Sequence, residues 1–273
     1  MRRRILTLAI ALAACAMLSG CGGGGSPTTR TPTDATPGNP LGLIRPGTLT
    51  VISATGYPPF EFDRAGNRSP VGFDIDLARA VARAAGIDRV VFVAAPFEEI
   101  LDRIADGGTA DVALSAISIT TERAERVDFS DPYFTVNQSI AVRRGTRGIA
   151  DLDDLRGARI GAQRGTTGAD LAASIPDGHV TRYPTIDAAF DALGRGEVQA
   201  VVNDLAISAH RAARSGGAIR VVGQVPTQEQ YGVAVSRDNP ALRDAVNAAL
   251  ARLRADGGYE RIYRRWLRVP PPR

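Results

Sequence analysis

The chain of 273 residues contains no lysine: all 33 of its basic side chains are arginine, against 29 acidic ones. It has two cysteines, both near the start, at Cys15 and Cys21. No disulfide framework and no thiolate centre can therefore be built further along. His179 and His210, its two histidines, lie in unrelated segments without the spacing of a metal pair. No metal site and no cofactor are expected. Neither G-x-S-x-G nor H-E-x-x-H occurs, which removes two common hydrolase patterns. No apolar run reaches the length of a membrane span. The net charge of +4 falls to +1 once Arg2, Arg3 and Arg4 are set aside (4 minus 3), and no basic block suggests nucleic acid. Exclusive use of arginine, with abundant alanine and glycine, reads as coding bias.

What is present begins at the N-terminus. Met1-Arg2-Arg3-Arg4 is a charged head, residues 5–17 are apolar apart from Thr7, and Leu18-Ser19-Gly20-Cys21 supplies small residues before a cleavage point. This is the anatomy of a secretory signal over residues 1–20. The terminal Cys resembles the lipobox of bacterial lipoproteins, in which Cys21 becomes the new N-terminus and carries acyl chains. Several chains together give stable anchoring, at about 0.8 kcal/mol per buried methylene. The expected location is extracytoplasmic, anchored to the cell membrane. Residues 22–42 read GGGGSPTTRTPTDATPGNPLG, a composition that cannot bury apolar surface. Residues 21–44 are expected to form a disordered tether with a reach on the order of 25 Å.

From Thr48 the pattern changes. Strands are expected at 49–53, 90–94 and 111–114, with helices at 74–85 and 97–105 between them. Such βαβαβ alternation argues for a parallel, wound sheet. A second, smaller unit follows, with strands at 159–162 and 198–202 and helices at 186–193 and 205–214. Residues 138–142 and 231–235 read as extended crossovers, and two helices, 240–255 and 259–267, close the chain. The fold class is α/β: two lobes, 45–137 with 232–273 and 138–231, joined by two crossings into a hinged clamshell. A ligand would sit between the lobes, near the carboxyl ends of their strands.

The ordered motifs carry a resemblance. Gly56-Tyr57-Pro58-Pro59-Phe60-Glu61-Phe62 is followed by Val71-Gly72-Phe73-Asp74-Ile75-Asp76-Leu77, then by Ile117-Ser118-Ile119-Thr120-Thr121-Glu122-Arg123 and Val127-Asp128-Phe129-Ser130-Asp131-Pro132-Tyr133-Phe134. Gly165-Thr166-Thr167, Ala200-Val201-Val202-Asn203-Asp204, Tyr231-Gly232-Val233-Ala234-Val235 and Asp256-Gly257-Gly258-Tyr259 complete the series. Over residues 45–267 the chain resembles the bacterial extracellular solute-binding proteins of family 3, the polar amino-acid receptors of ABC importers. The resemblance implies a type II periplasmic-binding-protein clamshell, a free L-amino acid as ligand, ABC permease subunits as membrane partners, a monomer, and no enzymatic activity.

It also implies roles for residues. Arg123 would clamp the ligand's carboxylate with its planar fork. Thr166 and Thr167, where a strand turns into a helix, would offer amides and hydroxyls to the same anion. Asp204 would hold the α-ammonium, Ser115 and Ser118 would hydrogen-bond the ligand, and Tyr57 and Phe97 would form aromatic walls. Taken singly, each has a plainer reading: Arg123 as a surface charge, Asp204 as a helix cap, the aromatics as core. For the side chain, relatives selective for basic ligands often carry an acid where Ala54 stands, so a cation would lack its partner. Gln163 offers a neutral amide, and Arg164 can face a side-chain carboxylate or solvent. Glutamate- or glutamine-like ligands are favoured. Two alternatives share this cleft: a sensor lipoprotein signalling to a membrane partner, and a periplasmic dehydratase, for which Glu61 would be the nearest general acid.

Overall fold

The computed structural model describes residues 37–64, 69–267 and 271. The signal segment and Cys21 lie outside the described residues, as does the tether up to residue 36. The rest of the expected tether is ordered against the body. Asn39 ties its side chain to both the N–H and the carbonyl of Leu43, and Leu43 is 5% exposed. The apolar Leu41 and Leu43, late in a Pro/Gly stretch, find a core to join.

Each half of the molecule is built on one five-stranded sheet. In the first half, β1 (Thr48–Ser53) leads to α1 (Phe73–Ala84), β2 (Arg89–Ala94), α2 (Ile100–Ala105), β3 (Val112–Ala113), α3 (Thr121–Ala124) and β4 (Asp128–Phe129). The chain then crosses on β5 (Phe134–Arg143) to β6 (Arg159–Gln163), α4 (Thr167–Ala173), β7 (His179–Tyr183), α5 (Ile186–Arg195), β8 (Ala200–Asp204) and α6 (Leu205–Arg214). It returns on β9 (Ile219–Tyr231) to β10 (Ala234–Val235), α7 (Pro240–Ala255) and α8 (Gly258–Leu267). Sheet orders are β2-β1-β3-β10-β4 and β7-β6-β8-β5-β9.

The sheets are mixed, not purely parallel. The βα units give parallel neighbours, Thr48 beside Arg89 through Ser53 beside Ala94, while the crossing strands β5, β9 and β10 pair antiparallel. β1 is buried at every position, as expected of a strand covered on both faces. The return crossing begins well before residue 231. β9 is an edge strand carrying Pro226, Gln228 and Gln230, so it lacks the apolar pattern of a central strand.

Between β1 and α1 the backbones touch. Gly72 sits at φ +141°, and a side-chain carbon there would come within 1.9 Å of the Phe60 carbonyl oxygen. Only glycine lets α1 start so close to that turn. Asp74, in the first turn of α1, is fully buried. One carboxylate oxygen accepts from the Ala116 N–H at 2.7 Å and the Tyr133 hydroxyl at 2.8 Å.

Burial pushes the Asp74 carboxyl up to about 7, while those two hydrogen bonds pull the other way. A carboxyl raised on folding stabilises the native state most when protonated, and that contribution is lost as pH climbs through its folded value. Thermal melts followed by circular dichroism should show Tm falling from about pH 4 to about pH 7, the interval between the ordinary and the folded value. Asp74→Asn should flatten part of that fall, the other buried acids Glu61 and Asp204 contributing to the rest; an equal fall in the variant would place its origin outside Asp74.

Candidate functional site

The carboxyl ends of six strands, β1, β2, β3, β6, β7 and β8, open onto one cavity of about 70 Å³ between the two sheets. All nine residues expected to bind ligand line it. The first sheet contributes Tyr57, Phe97, Ser115, Ser118 and Arg123; the second contributes Gln163, Thr166, Thr167 and Asp204.

Asp204 is the last residue of β8 and the one before α6, yet its side chain makes no capping bond to that helix. It is 6% exposed and turned across the cleft. One oxygen accepts from the Tyr57 hydroxyl at 2.8 Å and from the Tyr231 hydroxyl; the other accepts from the Gln138 amide. The strand register brings this about, since Gln138 of β5 pairs directly with Asp204 of β8. Burial raises the Asp204 carboxyl to about 6, and the nearby Glu229 charge adds to that. The three hydrogen bonds lower it.

Arg123 lies on the single turn of α3, capped by the Thr120 hydroxyl, which accepts the Arg123 N–H at 3.2 Å. Its guanidinium donates to the Ser118 carbonyl at 2.7 Å and, across the cleft, to the Gly165 carbonyl at 2.9 Å. It stands 5.6 Å over the Phe97 ring, a cation–π contact. Burial lowers the Arg123 pKa from its ordinary value, opposed first by Asp204 and then by Glu229. This side chain is therefore a cleft group rather than a solvated surface charge.

The hydroxyls are committed within the protein. Thr166 donates to the Gln163 carbonyl at 2.7 Å and accepts from the Ala169 N–H at 3.1 Å, capping α4. Ser115 donates to Glu61 at 2.8 Å and accepts from the Ala54 N–H at 2.9 Å. Ser118 and Thr167 both donate to Glu229, each at 2.6 Å. Arg164, the other cation near the wall, reaches Glu98 at 3.3 Å and is more than half exposed.

Four further residues complete the site; three were not singled out as site residues by the sequence pattern, and the fourth, Glu61, was named only as the general acid of the dehydratase alternative. Gln138, Glu229 and Tyr231 come from the crossing strands, whose sequence signals only extended chain. Glu61, read as part of a motif, has its side chain in the cavity wall, 1% exposed. Burial, and then the Asp74 charge, push its carboxyl well above the usual range, against the Ser115 bond. Pro184 and Thr185, between β7 and α5, and Ile186, which opens α5, also line the cavity; Thr185 caps α5, a signal the sequence does carry.

Residues 49–269 match the family model of bacterial extracellular solute-binding proteins, family 3. The chain is 32% identical over 206 residues to the ABC transporter glutamine-binding protein GlnH of Bacillus subtilis (strain 168), covering 73% of this chain and 74% of that protein. It is 32% identical over 222 residues to the ABC transporter arginine-binding protein 1 of Escherichia coli (strain K12), covering 79% and 88%. Among solved structures, an ancestral arginine-binding protein bound to glutamine matches with a TM-score of 0.74 and 36% identity, over 81% of this chain and 97% of that one. The chain belongs to the extracellular solute-binding proteins of family 3, and so to a family of binding proteins rather than enzymes.

The Asp204 environment can be read directly. Carboxyl-carbon NMR should give it a midpoint near 6, and Tyr231→Phe should move that midpoint upward by removing a donor to the ionised form. A midpoint unchanged in the variant would mean the Tyr231 hydroxyl does not serve the carboxylate.

Proposed function

We propose that this protein is an extracytoplasmic receptor, anchored by lipid on Cys21, that binds a polar amino acid and delivers it to the permease of an ABC importer. The observation carrying this reading is that Arg123 and Asp204, of opposite charge, line the same cavity from opposite sheets. A free α-amino acid is the small molecule with one carboxylate and one ammonium at fixed separation. Arg123 would take the first and Asp204 the second, with the aromatic faces of Tyr57 and Phe97 against the aliphatic part. The bodies that close on it would be 45–137 with 232–273, and 138–231, bending on β5 and β9.

The side chain favoured is of the glutamate or glutamine type. Ala54 and Gln163 both line the cavity, so the wall lacks an acid at the first position and has an amide at the second. A glutamine-binding relative and a glutamine-bound structural neighbour are in keeping with this. Arginine binding more tightly than either ligand would overturn the side-chain class and leave the amino-acid reading standing.

Truncating either charged residue leaves a ligand charge buried without its partner, at a cost of about 2–5 kcal/mol. Arg123→Ala and Asp204→Ala should each weaken binding at least roughly tenfold by calorimetry, with folding checked by circular dichroism. Near-native affinity in a folded Arg123→Ala protein would sink the assignment. Cys21→Ser should move the protein from the membrane to the soluble fraction, since no described helix is long and apolar enough to cross a bilayer. Retention on washed membranes would count against the anchor.

A further inference from the structure

We infer that Glu229, just behind the cavity wall, makes the site reject ligands of net negative charge, so that glutamine and asparagine are taken in preference to glutamate and aspartate. The inference rests on the amino-acid reading above and narrows it.

Glu229 lies on β9, the return crossing, and is in contact with cavity-lining residues of both sheets. One carboxylate oxygen takes the hydroxyls of Ser118, from the first half, and Thr167, from the second, each at 2.6 Å. The other takes the Gln138 amide at 2.9 Å, the same amide that reaches Asp204. All three donors are neutral, and among the described residues no arginine forms an ion pair with Glu229. Hydrogen bonds hold the carboxylate in place without cancelling its charge.

The charge count then decides the matter. Three charged residue types line the cavity: Glu61, Arg123 and Asp204. A bound zwitterion matches Arg123 with its carboxylate and Asp204 with its ammonium. Arg164, the cation that a ligand's side-chain carboxylate would need, is engaged by Glu98. Glu229 is left as a surplus negative charge, and its field reaches both α-group partners, raising Asp204 and opposing the fall in Arg123. A second carboxylate on the ligand enters a site where acids already outnumber bases, with Glu61 in the wall and Glu229 behind it. A carboxylate behind the cavity wall repels a like charge on the ligand and so separates ligands that differ by one charge.

Titration calorimetry of wild type, Glu229→Gln and Glu229→Asp with free glutamine and free glutamate tests this. Wild type should prefer glutamine by roughly tenfold. Glu229→Gln keeps an acceptor oxygen and loses the charge, so the glutamine-to-glutamate ratio should shrink by at least roughly fivefold. Glu229→Asp keeps the charge and should keep the preference, which separates charge from shape. Circular dichroism confirms that each variant is folded. Equal binding of the two ligands by wild type, or a ratio unchanged in Glu229→Gln, overturns the inference. Wild type binding neither ligand overturns the glutamate- or glutamine-like side-chain class, and the inference with it.

Discussion

A carboxylate taken out of water must be given partners, and at Asp204 they come from three separate stretches of chain. Tyr57 belongs to the first half, Gln138 to the outgoing crossing, and Tyr231 to the end of the return crossing. An isolated buried charge would instead take up a proton or cost several kcal/mol. The cluster therefore works only when both sheets, and both strands joining them, hold their register. The β5–β8 pairing that sets Gln138 opposite Asp204 and the β5–β9 pairing that sets Phe134 opposite Tyr231 serve one polar centre. Folding and site assembly are the same event at this point.

Around that polar centre lies an apolar one. Phe60, Phe73, Tyr133, Phe134 and Tyr231 form a ring cluster, with Phe60 and Phe134 centroids 5.0 Å apart and Phe134 and Tyr231 stacked at 5.5 Å. Tyr259 and Tyr263 of α8 extend it. Two members carry a hydroxyl that reaches an acid: Tyr133 to Asp74, Tyr231 to Asp204. The rings give area and rigidity, and their tips supply the donors that buried acids require. This is why the crossings begin and end in aromatics: Phe134 opens β5 and Tyr231 closes β9.

Much of this was legible in the sequence where local pattern and burial agree. The bounds of α6 and α7 follow from apolar spacing with an Asp or Asn-Pro start, and the nine candidate ligand residues, at strand ends, in the loops after them or in the first helical turns that follow, do converge on one cavity. What stayed hidden is non-local. That Asp204 would turn away from its own helix depends on Tyr57, 147 residues distant along the chain. Nothing around Glu229 hints that an exposed-looking run, Thr227-Gln228-Glu229-Gln230, places one carboxylate behind the cavity wall. β7 and β9 are edge strands, half open to solvent, and the alternation that marks a covered strand is weak there. Likewise Leu43 looks like linker until the core that receives it is known.

That last segment bears on mechanics. Asn239, the cap of α7, donates its amide to the Leu41 carbonyl at 2.9 Å, and Asp111 accepts the Ile44 N–H at 2.7 Å while its other oxygen holds Thr50 of β1. Tension applied through the chain before residue 39 would thus be shared between the start of α7 and β1, an interior strand of the first sheet. It would not load β5 or β9. One half of the molecule carries the pull, and the strands that join the halves are left mechanically slack.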